Sequence, residues 1–273
     1  MVIRRSGDTI ADELAEGILA GRWPAGSRMP SERQLTREFG ASRPVIREAL
    51  RSLLERGLIE VQAGRGTFVR EPDALATAGS IDLHFRRSGV TARQLSEARL
   101  MLETEAAGLA AERASEADLT ELRAALDRLE HAASPVEQVR GDLAFHLTLA
   151  RAAHNPVIEM MFRSIAGLAV ELMVRSAADP AVLGRSGPFH RAALEAVDAH
   201  DREAARAALQ AHLGVAAQTY GGDYDRNLDT TAFRALRLLG QSPDLSRFIR
   251  SVLPVGARSG RAADEMHPEP PPR

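Results

Sequence analysis

Asp142-Leu-Ala-Phe-His146 sets a carboxylate and an imidazole four residues apart, on one face of a helix. His190 and His212 fall on two later helical stretches. Three imidazoles and one carboxylate form a donor set for Zn2+, Ni2+ or another divalent first-row ion. The same residues also read as an Asp142–His146 structural pair with hydrogen-bonded core histidines, and spacing alone leaves both readings open. His84, His131, His154, His200 and His267 take the plainer reading, His154 as a loop or cap residue before Asn155-Pro156. A second group is cationic. Arg43, Arg47 and Arg51 recur every fourth residue, away from Ile46, Ala49, Leu50 and Leu53. Guanidiniums so placed can fork onto guanine edges or phosphates, or simply form a solvated face. Arg33, just upstream, suits a phosphate clamp. Gly64-Arg65-Gly66 would bring main chain and one arginine close to a minor groove.

These groups need elements to present them. Ile10, Leu14, Ala15, Ile18 and Leu19 recur at helical spacing from Asp8 to Leu19, and Gly21 and Pro24-Ala-Gly26 end that helix. Ser31 caps a short second helix, with Leu35 and Phe39 inward and Gly40 as its stop. Ser42 caps a third, striped by Val45, Ile46, Ala49, Leu50, Leu53 and Leu54. Leu58–Gln62 alternates as a strand, Ala63–Gly66 is a tight turn, and Thr67–Val69 is the return strand. Three helices and a hairpin within residues 1–72 make a winged helix-turn-helix layout, and that context favours DNA as the partner of the arginine face.

Residues 73–90 read as a linker with a short helix around Ile81–Phe85. From Thr91 to Tyr220 the pattern is helical almost throughout, with starts at Ser115, Ser134-Pro-Val-Glu137, Asn155-Pro156 and Asp201-Arg-Glu203. Six helices joined by short loops predict an antiparallel bundle, where metal sites are built from inward residues on facing helices. Residues 221–273 read as an extension with short helices at Thr230–Leu239 and Ser242–Leu253 and a disordered tail from Gly256. The expected fold class is mainly α: a winged helix-turn-helix followed by an all-α bundle.

Composition removes other chemistries. The 273 residues are 44% hydrophobic and 26% charged, a globular balance. With no cysteine, disulfides, thiolate metal centres and cysteine catalysis are excluded. No apolar run approaches the ~20 residues of a bilayer span, and Met1–Arg5 has no apolar core behind it, so the expected location is cytoplasmic. Every basic residue is arginine. Residues 1–72 carry 12 Arg against 10 Asp and Glu, and residues 73–220 carry 15 against 20, which points to two domains with different partners.

Met29-Pro-Ser-Glu-Arg33, Ser42-Arg43-Pro-Val-Ile-Arg47-Glu-Ala-Leu50, Gly57-Leu-Ile59 and Gly64-Arg-Gly66 together resemble the DNA-binding domain of GntR-family transcriptional regulators. Glu97-Ala-Arg99, Leu102-Glu103, Ala106–Ala111, Asp142-x-x-x-His146, His154-Asn155-Pro156, His190-x-x-Leu194 and His212-Leu213 resemble the FCD effector domain of the FadR-like subfamily. The resemblance implies that Arg33, Ser42, Arg43, Arg47 and Gly64 contact operator DNA, with Arg65 at the wing tip. It implies a divalent metal held by Asp142, His146, His190 and His212, and an effector pocket reached by Arg99 and Asn155. A cation plus an arginine suits a small carboxylate. The expected protein is a homodimeric, ligand-responsive regulator of double-stranded operator DNA, more often a repressor, and not an enzyme; residues 91–220 would bind effector and dimerise. The alternative is a metal-dependent enzyme fused to a DNA-binding head. No HExxH and no serine-nucleophile motif supports it, and Glu103 and Glu105 are the nearest candidate bases. A plainer role for Arg99 is an intrahelical pair with Glu103.

Overall fold

The computed structural model describes residues 6–71 and 74–240, which divide into two compact units at Asp73/Ala74. Among the described residues, no helix is long and apolar enough to cross a membrane.

The first unit holds α1 (Gly7–Leu19), α2 (Glu32–Phe39), α3 (Arg43–Glu55), β1 (Ile59–Gln62) and β2 (Gly66–Val69). Ser31 and Gln34 close a capping box on α2, and Gly40 ends it at φ +61°, a left-handed conformation that glycine adopts without strain. Ser42 takes the N-cap position of α3 but makes no capping bond. Pro44, at the second helical position, has no N–H to offer it. Ile10, Leu14, Leu35, Ile46, Ala49, Leu53, Ile59 and Val69 form the core. β1 and β2 pair antiparallel, from Ile59 opposite Val69 to Gln62 opposite Gly66. The segment before α2, which reads as loop, runs along β2: Met29 N–H donates to Thr67 O and Val69 N–H to Ser27 O. The wing thus has a third, unforeseen edge.

The second unit opens with α4 (Ala74–Arg87) and continues with α5 (Ala92–Arg113), α6 (Glu116–Glu130), α7 (Pro135–Ala152), α8 (Pro156–Ala177), α9 (Pro180–Asp198), α10 (Arg202–Thr219) and α11 (Leu228–Leu238). Helices α5–α10 are the six the sequence predicts, joined by two to four residues, which turns each helix back on the last. Helix α8 is buried all round from Ser164 to Val174. One core cluster surrounds it, with Phe162, Leu168 and Leu172 meeting Leu143 of α7 and Leu228 and Leu236 of α11. A second lies among α5, α6, α7, α9 and α10, with Leu122, Phe145, Leu149, Val197 and Leu209 at its heart.

Two boundaries differ from the sequence reading. Residues 74–87 are not linker but a helix packed on α8. Arg86 of α4 bonds Asp82 at 2.7 Å and reaches the fully buried Glu171 of α8. A carboxylate buried in a helix core needs such a partner. The bundle also continues past Tyr220: Leu228 N–H donates to Val90 O, and α11 buries Leu228, Ala232, Ala235 and Leu236. The expected helix at 242–253 and the tail from 256 lie outside the described residues.

Gly141 on α7 permits the approach to α6 that sets its neighbour Asp142. A Cβ there would stand 2.8 Å from the Cα of Leu129, which is backbone and cannot rotate away. Alanine is favoured in a helix by about 1 kcal/mol, but the overlap outweighs that, so Gly141→Ala should cost a net 1–2 kcal/mol or so. Urea denaturation checks this; an unmoved midpoint would show that α6 and α7 part freely.

Candidate functional site

Three helices bring the four predicted donors together. Asp142 and His146 project one turn apart from α7, His190 comes from α9 and His212 from α10. One donor atom from each lies within 4.8 Å of all the others. His146 Nε2 stands 3.2 Å from His212 Nε2 and 3.2 Å from Asp142 Oδ1, and His190 Nε2 stands 2.9 Å from Asp142 Oδ1. Ligand atoms of a tetrahedral zinc site are about 3.3 Å apart, given bonds of about 2.0–2.1 Å. The rings are walled by Phe145, whose centroid is 5.0 Å from that of His190, and by Phe162, 6.4 Å from His146. His146 and His190 are buried, and the Nδ1 atoms of His190 and His212 have no hydrogen-bond partner. Convergent, water-excluded imidazoles around one carboxylate fit a cation: the cluster can hold a metal ion.

Behind the donors lies a carboxylate that the sequence reading set down only as a partner of Arg99 or a candidate base. Glu103 is 2% exposed; it takes the Arg99 Nε–H at 2.5 Å and pairs with His146 Nδ1. A carboxylate on the far nitrogen of a ligating histidine fixes the ring and its tautomer. Burial alone would push Glu103 up, but Arg99 and His146 outweigh it and hold its carboxyl down at about 2. Burial likewise opposes ionisation of Asp142, yet bonds from His146 and His190 keep it well below the usual carboxylate range. Burial disfavours a charged His146, but Glu103 and Asp142 prevail and raise it to about 9. His212, buried and facing His190 and His146, is pushed well below the ordinary histidine range.

A cavity of about 190 Å³ adjoins the donors, with Arg99, Asp142, His190 and His212 on its wall. Arg99 is thus both the partner of Glu103 and a pocket residue. Asn155 is not among the residues lining this cavity. Its side-chain oxygen caps α8, accepting from Val157 N–H at 3.1 Å and Ile158 N–H at 3.3 Å, because the first turn of a helix leaves those donors without partners. Glu105 pairs with Arg202 and Arg206. Of the remaining histidines, His154 bonds Asp118 at 2.9 Å and His200 bonds Ala111 O at 2.9 Å, both in left-handed turns.

In the first unit Arg33, Ser42, Arg43 and Arg47 are exposed on α2, α3 and the turn between them. The Arg47 Nε–H is shared by the two carboxylate oxygens of Glu32 at 3.0 and 3.1 Å. At the wing, Gly64 takes φ +73° and Gly66 φ +114°, which makes the sharp turn, while the exposed Arg65 lies 5.4 Å over the Phe68 ring.

Comparison with known proteins places these features. Residues 6–69 match the model described as bacterial regulatory proteins, gntR family, and residues 94–215 match the FCD domain. The galactonate operon transcriptional repressor of Escherichia coli (strain K12) is 30% identical over 211 residues, 74% of this chain and 90% of that protein. The HTH-type transcriptional regulator LutR of Bacillus subtilis (strain 168) is 29% identical over 217 residues, 77% of this chain and 99% of that protein. Among solved structures, Streptococcus agalactiae GntR superposes with a TM-score of 0.58 at 26% identity, covering 78% of this chain and 99% of that one. The chain belongs to the GntR family of bacterial regulators and joins its winged helix-turn-helix to an FCD effector domain, so it is a DNA-binding, ligand-responsive transcriptional regulator.

Proposed function

We propose that Asp142, His146, His190 and His212 hold one divalent first-row ion, Zn2+ or Ni2+, and that a small organic acid binds beside it. When bound, the ion supplies a Lewis-acidic centre for a carboxylate oxygen, and Arg99 supplies a charged donor for the other. The observation that carries this reading is the convergence of the four donors beside a cavity that Arg99 also lines. The helical unit dimerises and presents two winged domains to a roughly palindromic operator. Arg43 and Arg47 face the major groove, Arg33 and Ser42 hold phosphate, and Gly64 and Arg65 meet the minor groove. Ser42 suits its role because its hydroxyl is not used as a cap. The acid shifts operator affinity about 5–150-fold, a coupling of about 1–3 kcal/mol. Repression follows the naming of the galactonate operon repressor it is similar to. An enzymatic reading has less support, since Glu103 is held by Arg99 and His146 and Glu105 by Arg202 and Arg206.

The test combines elemental analysis of the purified protein with a thermal-shift screen of small carboxylates, followed by operator binding with each hit. Stoichiometric metal, an acid that raises the melting temperature and a matching change in operator affinity are expected. Absence of metal after Zn2+ and Ni2+ have both been supplied would overturn the site.

A further inference from the structure

The cavity beside the donor cluster is two-faced. One end carries Arg99, Asp142, His190 and His212. The rest of its wall is largely aliphatic: Leu126 and Leu129 of α6, Val139 of α7, Met173 of α8, and Val182 and Leu183 of α9. Four polar side chains also border that part, and two are already engaged. Glu130 is paired with Arg191 at 2.5 Å. The Ser186 hydroxyl donates to Leu183 O at 3.5 Å. Among the described lining residues, Gln138 and Ser176 are left to meet a polar group on a ligand.

We propose, resting on the reading of this cavity as the effector site, that it selects a monocarboxylate with a short aliphatic tail, about four to five carbons in all, over a polyhydroxylated sugar acid. Two independent quantities lead there. The first is volume. A cavity of roughly 150 Å³ holds benzene, six carbons, so 190 Å³ takes about eight non-hydrogen atoms. That matches 2-hydroxypentanoate, whereas a six-carbon sugar acid carries about 13 such atoms and would need roughly 325 Å³ on the same scale. The second is hydrogen bonding. Each sugar hydroxyl turned toward Leu126, Val139 or Val182 loses its water without gaining a partner, which weakens binding by about 5- to 150-fold apiece. A methylene in the same place instead tightens binding by about fourfold.

The test is calorimetric titration of the full-length, Zn2+-loaded protein with 2-hydroxypropanoate, 2-hydroxybutanoate, 2-hydroxypentanoate, 2-hydroxyhexanoate and gluconate. Affinity should rise about fourfold per methylene as far as 2-hydroxypentanoate and then level or fall, with gluconate weaker than the best of the series by about 100-fold or more. Val182→Ala should move the optimum toward the longer acid, a readout that depends on the tail and not on the metal end. A flat series, or gluconate bound as tightly as 2-hydroxypentanoate, overturns the tail assignment and leaves the effector site standing. Failure of every acid to bind a folded, metal-loaded protein removes the effector site as well.

Discussion

With His190 and His212 both changed to Asn, the protein should bind Zn2+ more than about 100-fold more weakly. Disturbing the groups behind a ligand already costs about 10- to 100-fold, and here two of the four donors themselves are gone. The fold should survive the change. The His212 ring is centred 4.1 Å from His190 and 5.1 Å from His146, and burial with its neighbours' charge keeps it from protonating. Without a cation the double variant gives up the His190–Asp142 hydrogen bond, so its metal-free melting temperature should fall by only a few degrees. What disappears is the stabilisation by added Zn2+, about 4 kcal/mol when the free ion stands at a thousand times its Kd. The parent shows a pH signature too. His146 keeps its proton up to about pH 9, and a metal at its Nε2 must displace that proton. Zn2+ uptake should then release about one proton from His146 near pH 7 and tighten as pH rises toward 9, after which that gain ends. Competition with a chromophoric chelator across pH measures both effects. Undiminished Zn2+ uptake by the double variant would show that other residues hold the ion.

Arg47→Ala should weaken operator binding by about 5- to 150-fold, the equivalent of about 1–3 kcal/mol, if Arg47 reads a guanine edge. Arg47 is 68% exposed, and both Glu32 oxygens accept from its Nε–H, which holds the side chain before DNA arrives. The pair itself adds little to folding, because exposed ion pairs contribute about 0–1 kcal/mol. The variant should therefore melt within a degree or two of the parent while losing operator. Arg43→Ala, on the same face one turn earlier, should behave alike. Fluorescence anisotropy at several salt concentrations distinguishes two roles. Loss of a base contact leaves the salt dependence unchanged, whereas loss of a phosphate contact lowers its slope by about one. Parent-like affinity in both variants would remove α3 as the reading helix.

Local chemistry made much of the molecule legible before any coordinates. Ser31, Gly40, Pro44 and Gly64 mark helix starts, stops and the wing turn through backbone rules that act within four residues, and the elements of the first unit sit where those marks put them. The four candidate metal donors were legible as residue types, and the family resemblance singled out His146, His190 and His212 among eight histidines. What escaped is long-range. Helix α4 carries Gly79 and has no clear stripe, so it reads as linker; its anchor is Arg86 meeting Glu171, 85 positions away. The second bond of Glu103, to His146, is hidden for the same reason. Asn155 is the opposite case. Asn before Pro at a helix start signals an N-cap in the sequence itself, and its side chain caps α8 as that local signal indicates.

The burial of α8 has a consequence for how the protein opens. Eleven consecutive residues, Ser164–Val174, are shielded on every side by neighbouring helices. Their amide hydrogens can meet deuterium only when that packing comes apart as a whole, so they should be the last in the chain to exchange and should report its global unfolding free energy. Among the described residues, the exposed wing around Gly64 should fill with deuterium early.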